Sequence, residues 1–205
     1  MMTTSQHVTW ETELNLKSLS VALLTISDPR SMEEDQSGST LEQLATSAGH
    51  SVTDRQLVKD DIYAIRSTTS QWIANENIQV IITTGGTGFT GRDSTPEALE
   101  PLFDKTIDGF GELFRQISFK EIGSSTIQSR AIAGIANGTL IFSLPGSSNA
   151  VEPARQQILK NQLDIDFTPC NFAELIPRFR EHRSNWTSPE ASSSRRRTLE
   201  SGQRN

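Results

Sequence analysis

Four glycines, Gly85, Gly86, Gly88 and Gly91, fall within seven residues of the stretch TTGGTGFTGRDSTPEA, Thr83 to Ala98. Glycine lets backbone N–H groups come close to a ligand, and N–H groups at a helix start attract anions. Thr87 lies among these glycines and Arg92-Asp93 follows them. Thr95-Pro96-Glu97 then reads as a helix start, with Thr95 as N-cap and Pro96 in the first helical position. The chemistry open to such a stretch is phosphate binding with a carboxylate at hand. Three other segments carry related groups: Ser27-Asp28, Asp60, and Pro145-Gly146-Ser147.

Most of these residues also have a plain structural use. Asp28 precedes a proline and can start a turn, and Asp60 can cap a helix. Arg130 opens an apolar segment and can pair on the surface, while Trp72 falls at core spacing. His7, His50 and His182 form no metal-ligand spacing, and Cys170 reads as a buried or inert thiol. A Walker loop is excluded, because no Gly-Lys-Ser/Thr follows the glycines. Gly85-x-x-Gly88-x-x-Gly91 resembles a dinucleotide fingerprint, but it follows a third strand rather than a first, and Pro96 resets the helix start. The Tyr-x-x-x-Lys pair of short-chain dehydrogenases is missing too, since the only tyrosine is Tyr63 and position 67 is Ser67.

The elements that must hold the loop follow from periodicity. Leu19 to Ile26 is a continuous apolar run, the mark of a strand covered on both faces. A helix opening at Ser37-Gly38 carries Leu41, Leu44, Ala45 and Ala48 on one side and ends at Gly49. Val52 to Val58 reads as a second strand. Asp60 or Asp61 caps the next helix, where Ile62, Ile65, Thr69, Trp72 and Ile73 recur. Ile78 to Thr84 is the third strand, which delivers the glycine loop. A short helix through Phe103 follows, then one from Gly109 to Ile122, ended by Gly123, with Ser124-Ser125-Thr126 starting one more turn. Arg130 to Ala136 and Thr139 to Leu144 read as a hairpin on Asn137-Gly138. A last helix runs to about Leu159. Alternating strands and helices give an α/β fold with a mostly parallel sheet covered on both faces.

Ligands of open α/β sheets bind beyond the carboxyl ends of the strands. That rule brings Ser27-Asp28, Asp60, the glycine loop and Pro145-Gly146-Ser147 to one edge. Asp28, Asp60 and Asp93 around phosphate-ready N–H groups suit a divalent cation bound together with substrate phosphates. Arg92 and Arg130 could balance charge on a phosphoryl group. The reaction class is phosphoryl or nucleotidyl transfer.

Composition narrows the setting. The chain has 205 residues, of which 34% are apolar, so part of its length is expected to lie outside the core. Residues 1–17 read as an N-terminal arm, 18–180 as the domain, and 181–205 as a disordered Arg/Ser-rich tail. From Arg178 to Asn205 there are seven Arg and three Glu, which leaves 12 basic and 22 acidic residues before them. So acidic a body argues against nucleic acid as a partner. The absence of a spanning apolar run or a signal-peptide pattern, together with the single cysteine, points to a cytoplasmic protein with no membrane partner.

TTGGTGFTGRDSTPEAL (83–99) closely resembles the signature of the molybdopterin-binding MoaB/Mog family. TISDPR (25–30) with Glu34-Asp35-x-Ser37-Gly38, the segment 109–134, and LIFSLPGSSNAV (140–151) are similar to further family blocks in the same order. TPCNF (168–172) resembles the end of the MoaB branch. The resemblance implies a three-layer α/β/α fold and a homo-trimer or homo-hexamer. It also implies work in molybdenum cofactor biosynthesis, beside other proteins of that pathway. The implied reaction is adenylylation of molybdopterin with ATP as co-substrate and Mg2+ as cofactor, which releases pyrophosphate. The alternative is a non-catalytic molybdopterin-binding or scaffold protein of the same pathway.

The family's site carries over as follows. Asp60 and Asp93 match its two acids and would be the catalytic, metal-positioning pair. Gly85, Gly86, Thr87 and Gly88 would cradle phosphate, with Ser27 and Asp28 beside them. Ser124, Ser125, Pro145, Gly146 and Ser147 would line the pterin and nucleotide pocket.

Overall fold

The computed structural model describes residues 17–28, 31–146 and 152–181. The expected N-terminal arm and the Arg/Ser-rich tail, with His7 and His182, therefore fall almost wholly outside the described residues, and Ser147 falls outside them too.

Six strands form one sheet: β1 (Ser20–Ile26), β2 (Ser51–Val58), β3 (Val80–Thr84), β4 (Lys105–Thr106), β5 (Ile132–Ala136) and β6 (Thr139–Leu144), in the order β2-β1-β3-β6-β5-β4. The first four strands of that order are parallel, and β5 and β4 add an antiparallel edge. Apolar residues cover both faces of the central strands, so helices must pack on each. Leu19, Val21, Leu23, Val80, Ile82, Leu140 and Phe142 form one core with Leu41 of α1 (Gln36–Ser47), Phe110 and Phe114 of α4 (Asp108–Ile122), and Ile158 and Leu159 of α5 (Glu152–Leu163). Ala22, Leu24, Ile81 and Ile141 face the other way, against Ile65 and Trp72 of α2 (Ile62–Ala74) and Ala98 and Leu99 of α3 (Thr95–Leu99). The result is the expected three-layer α/β/α arrangement, and Trp72 is core as its spacing implied.

Local chemistry sets the element ends. Asn137 and Gly138 both have positive φ, 50° and 82°, which is the backbone an Asn-Gly hairpin turn requires. Asp61 caps α2, accepting from the N–H groups of Tyr63 (3.0 Å) and Ala64 (2.8 Å). Two expectations need correction. The helix read as opening at Ser37-Gly38 begins one residue earlier, because buried Asp35 accepts from the Gly38 N–H at 2.9 Å. Thr95 is not the cap of α3. It is the first helical residue, and its hydroxyl donates to the Gly85 carbonyl at 2.9 Å instead. The two-residue strand β4 was not foreseen, since so short a segment carries no periodicity. Among the described residues no helix is long and apolar enough to cross a membrane.

The chain passes from β1 to β2 on one side and later returns to β3 on the other. The β1–β3 boundary is therefore the topological switch point, where a crevice opens beyond the strand ends. Asp35 braces this region. It accepts from Thr25 Oγ1 (2.7 Å) on β1 and pairs with Arg55 (3.0 Å) on β2. Burial pushes its carboxyl up, but the Gly38 N–H, Thr25 and Arg55 outweigh that and hold it below the usual range.

We predict that Asp35→Ala costs about 3 kcal/mol in urea unfolding at pH 7, since it removes a cap and leaves Arg55 short of a buried counter-ion. A depressed carboxyl stabilises the fold above its unfolded pKa and loses that effect as pH falls. The gap between wild type and variant should therefore narrow below about pH 4.

Candidate functional site

At the switch point the chain leaving β3 must cross the end of β1. The crossing is so close that a Cβ on Gly85 would sit 2.1 Å from the Ile26 carbonyl oxygen. Gly85 has a φ of +108°, and its N–H donates to the Leu144 carbonyl at 3.0 Å. Gly86 has a φ of +62°, and a Cβ there would lie 2.3 Å from Thr95 Oγ1 and 2.5 Å from Asp60 Oδ2. A Cβ on Gly88 would meet the Asp93 carboxylate at 2.7 Å. Gly91 is different, with nothing within 4 Å of such an atom.

The carboxylates hold distinct places. Because Asp61 caps α2, Asp60 is released toward the loop. Its Oδ1 accepts from the Ser94 N–H (3.0 Å) and hydroxyl (2.6 Å), while its own N–H donates to Asp28 Oδ1 at 3.0 Å. Burial raises the Asp60 carboxyl, Ser94 pulls it down, and the charges of Asp93 and Asp28 raise it again, leaving it above the ordinary value. Asp93 Oδ2 accepts from the Thr90 hydroxyl (2.6 Å) and N–H (2.7 Å) and closes the loop on itself. The Thr90 hydroxyl, then the N–H groups of Thr90 and Gly88, and Arg130 lower the Asp93 carboxyl against the effect of burial.

A cleft of about 570 Å³ opens over these groups, within the range of small-molecule sites. Its lining includes Ser27, Gly85, Gly86, Thr87, Gly88, Asp93, Ser125, Pro145 and Gly146, all expected from the sequence. Neither Asp60 nor Asp28 lines it: Asp60 is half-buried and bonded to exposed Asp28, and Arg92 is exposed on the loop without a partner among the described residues. Ser124 is exposed next to the cleft and does not line it. Arg130 lies behind the loop, donating to the carbonyls of Gly88 (2.8 Å) and Asp93 (3.1 Å) and pairing with Glu97.

The far wall was missed. It is built by Phe114, Ser118 and Ile122 of α4 and by Gln128 and Ser129 of the turn after it. Ser129 Oγ is buried with no partner among the described residues. Phe114, Ser118 and Ile122 repeat at helical spacing in the sequence, but nothing there separates cleft-facing residues from core. One other reading changes. Cys170 is exposed, not buried, because it sits in the loop after α5. His50 is buried at the edge of the sheet, where its Nδ1 accepts from the Leu19 N–H at 3.3 Å. Among the described residues no three His, Cys, Asp or Glu side chains cluster as a ready metal cage.

Comparison with known proteins agrees with this geometry. The family described as "Probable molybdopterin binding domain" matches residues 12–164. The molybdenum cofactor biosynthesis protein B of Escherichia coli K12 is 53% identical over 152 residues, covering 74% of this chain and 89% of that protein. A crystal structure of a molybdenum cofactor biosynthesis protein B aligns with a TM-score of 0.69 at 46% identity, over 72% of this chain and 92% of that one. The tungsten cofactor synthesizing protein MoaB of Pyrococcus furiosus aligns with a TM-score of 0.61 at 37% identity, over 71% and 92%.

Two predictions follow the glycines and the acids. Gly86→Ala combines a forbidden φ with a collision, so it should abolish phosphate binding and cost on the order of 1–3 kcal/mol, whereas Gly91→Ala should change stability by less than about 0.5 kcal/mol. Isothermal titration and urea unfolding read both. Asp60 has a raised carboxyl pKa, so its charge opposes folding at neutral pH. Asp60→Asn should therefore raise the melting temperature of the ligand-free protein at pH 7, by no more than about 1 kcal/mol of stability because solvent screens the site.

Proposed function

We propose that this chain, which belongs to the molybdopterin-binding family of molybdenum cofactor biosynthesis proteins, binds molybdopterin in the cleft and adenylylates its terminal phosphate with Mg-ATP. The observation that carries the reading is the meeting of the glycine loop with Asp60 and Asp93 at the switch point. N–H groups and open backbone suit phosphates, while Phe114, Ile122, Ser118, Ser125 and Gln128 suit a ring system with polar edges.

In this reaction an oxygen of the substrate phosphate attacks the α-phosphorus of ATP. The bond from that phosphorus to the bridging oxygen breaks, and pyrophosphate leaves with the electron pair. The substrate supplies the nucleophile, so the protein needs no catalytic Cys or His, and among the described residues none lines the cleft. Its task is to align two polyanions and offset their charge.

Magnesium, when bound, would neutralise charge on the nucleotide phosphates. The residues fit that ion. Both candidates are carboxylates, the number that magnesium commonly takes while it keeps waters. Asp60 Oδ2 accepts no hydrogen bond from the described residues, and burial, with the charges of Asp93 and Asp28 added, raises Asp60 and marks a place that a cation would relieve. Asp60 and Asp93 would hold the ion, and Arg92 would meet phosphate from the open side.

One observation favours a second reading, binding without turnover. Both bonds to Asp93 Oδ2 come from Thr90, so loop closure alone accounts for that oxygen. The two readings part in an assay of purified protein with molybdopterin and Mg-ATP. We predict adenylyl-molybdopterin and pyrophosphate in equal amounts. Asp93→Asn, which can still accept from Thr90, should lower turnover on the order of 100-fold while molybdopterin still binds. Binding with no product from wild type would establish the second reading.

A further inference from the structure

Arg130 stands in front of the first strand of the hairpin, 37 residues beyond Asp93, yet most of its contacts are with the glycine loop. Its N–H donates to the Thr87 carbonyl (3.3 Å), Nε to the Gly88 carbonyl (2.8 Å) and one terminal nitrogen to the Asp93 carbonyl (3.1 Å). The other terminal nitrogen pairs with Glu97 of α3, and the Phe89 ring lies over the guanidinium, 5.1 Å away. Only 21% of the Arg130 side chain is exposed.

A trans peptide points its C=O and the following N–H in opposite directions. Each carbonyl turned toward Arg130 therefore turns an N–H away from it. Two of these can be followed. The Asp93–Ser94 peptide gives its oxygen to Arg130 and its N–H to Asp60 Oδ1. The Thr87–Gly88 peptide gives its oxygen to the Arg130 N–H, and the Gly88 N–H faces the Asp93 carboxylate. Arg130 thus reaches Asp60 through one peptide with its guanidinium and Asp93 through another with its backbone N–H.

We propose that Arg130 is a positioning residue, which fixes the loop N–H groups and the carboxylates of Asp60 and Asp93 from behind, and not a ligand of substrate phosphate. Glu97 and Phe89 hold the guanidinium for this task. The consequence for nucleotide affinity rests on the phosphate-binding reading of the cleft, whereas the placement of Asp60 does not.

Removing Glu97 separates the two roles by sign. If Arg130 met phosphate directly, Glu97→Ala would free it and strengthen binding of an anion. As a positioning residue it loses its anchor, so Glu97→Ala should weaken Mg-ATP binding about tenfold, the scale of one charged hydrogen bond. The same variant should speed exchange of the Ser94 amide hydrogen in the ligand-free protein, since its peptide loses a firm anchor at the Asp93 carbonyl, whereas an Arg130 that served phosphate alone would leave that amide as protected as in wild type. Arg130→Lys keeps the charge but not the fork, and should behave as Arg130→Gln does, with faster amide exchange over residues 85–94. Tighter or unchanged Mg-ATP binding in Glu97→Ala, unchanged protection of its Ser94 amide, or full function in Arg130→Lys would each overturn the proposal. If wild type binds no Mg-ATP, the phosphate reading fails, and the Ser94 amide exchange still decides the role of Arg130.

Discussion

A backbone crossing with no room for a Cβ governs this molecule. The loop after β3 passes over the end of β1 against the Ile26 carbonyl, and Gly146 closes on Gly85 from the β6 side, where an added Cβ would lie 2.9 Å from the Gly85 Cα. Three adjacent parallel strands thus end on one knot of bare backbone. Their register permits it: Thr25 lies beside Thr84, and Thr84 beside Leu144, so the strands finish level. A side chain in that space would push the loop off the sheet and take the acids with it.

The second constraint is charge. Asp28, Asp60 and Asp93 gather at one strand edge, and burial first, with the charges of Asp93 and Asp28 added, raises the Asp60 carboxyl. Hydrogen bonds from Ser94 and Thr90 hold two of them in place, and Arg130 supports the Asp93–Ser94 peptide from the rear. The proposed function would put this arrangement to use, with the ligand-bound state favoured over the empty one. Polyanions that bring their own cation relieve a repulsion that the apoprotein must bear.

Much of this was legible in the sequence because it depends on local patterns. The apolar runs gave the buried strands, Asn137-Gly138 gave the hairpin turn, and the glycines marked the loop. What escaped were bonds between distant segments. Asp60 and Asp61 are indistinguishable as caps until the Ser94 N–H, 34 residues away, claims Asp60. Thr95 has the form of an N-cap, but its hydroxyl is drawn to Gly85. Arg130 reads as a strand opener, and its contacts with Gly88 and Asp93 depend on how the sheet folds. The strand-end rule gathered Asp60, the glycine loop, Pro145 and Gly146, and the resemblance to MoaB/Mog proteins added Ser125, which spacing alone would not have brought there. Neither route marked Gln128 or Ser129, which lie in the turn after α4 and whose facing is decided by packing.

The most direct test of the central claim is a crystal structure of the protein with molybdopterin and a non-hydrolysable ATP analogue in magnesium. The account predicts phosphate oxygens on the N–H groups of Gly85 to Gly88, an ion held by Asp60 or Asp93, and the pterin against Phe114 and Gln128. Ligands seated elsewhere, with the glycine loop untouched, would contradict it.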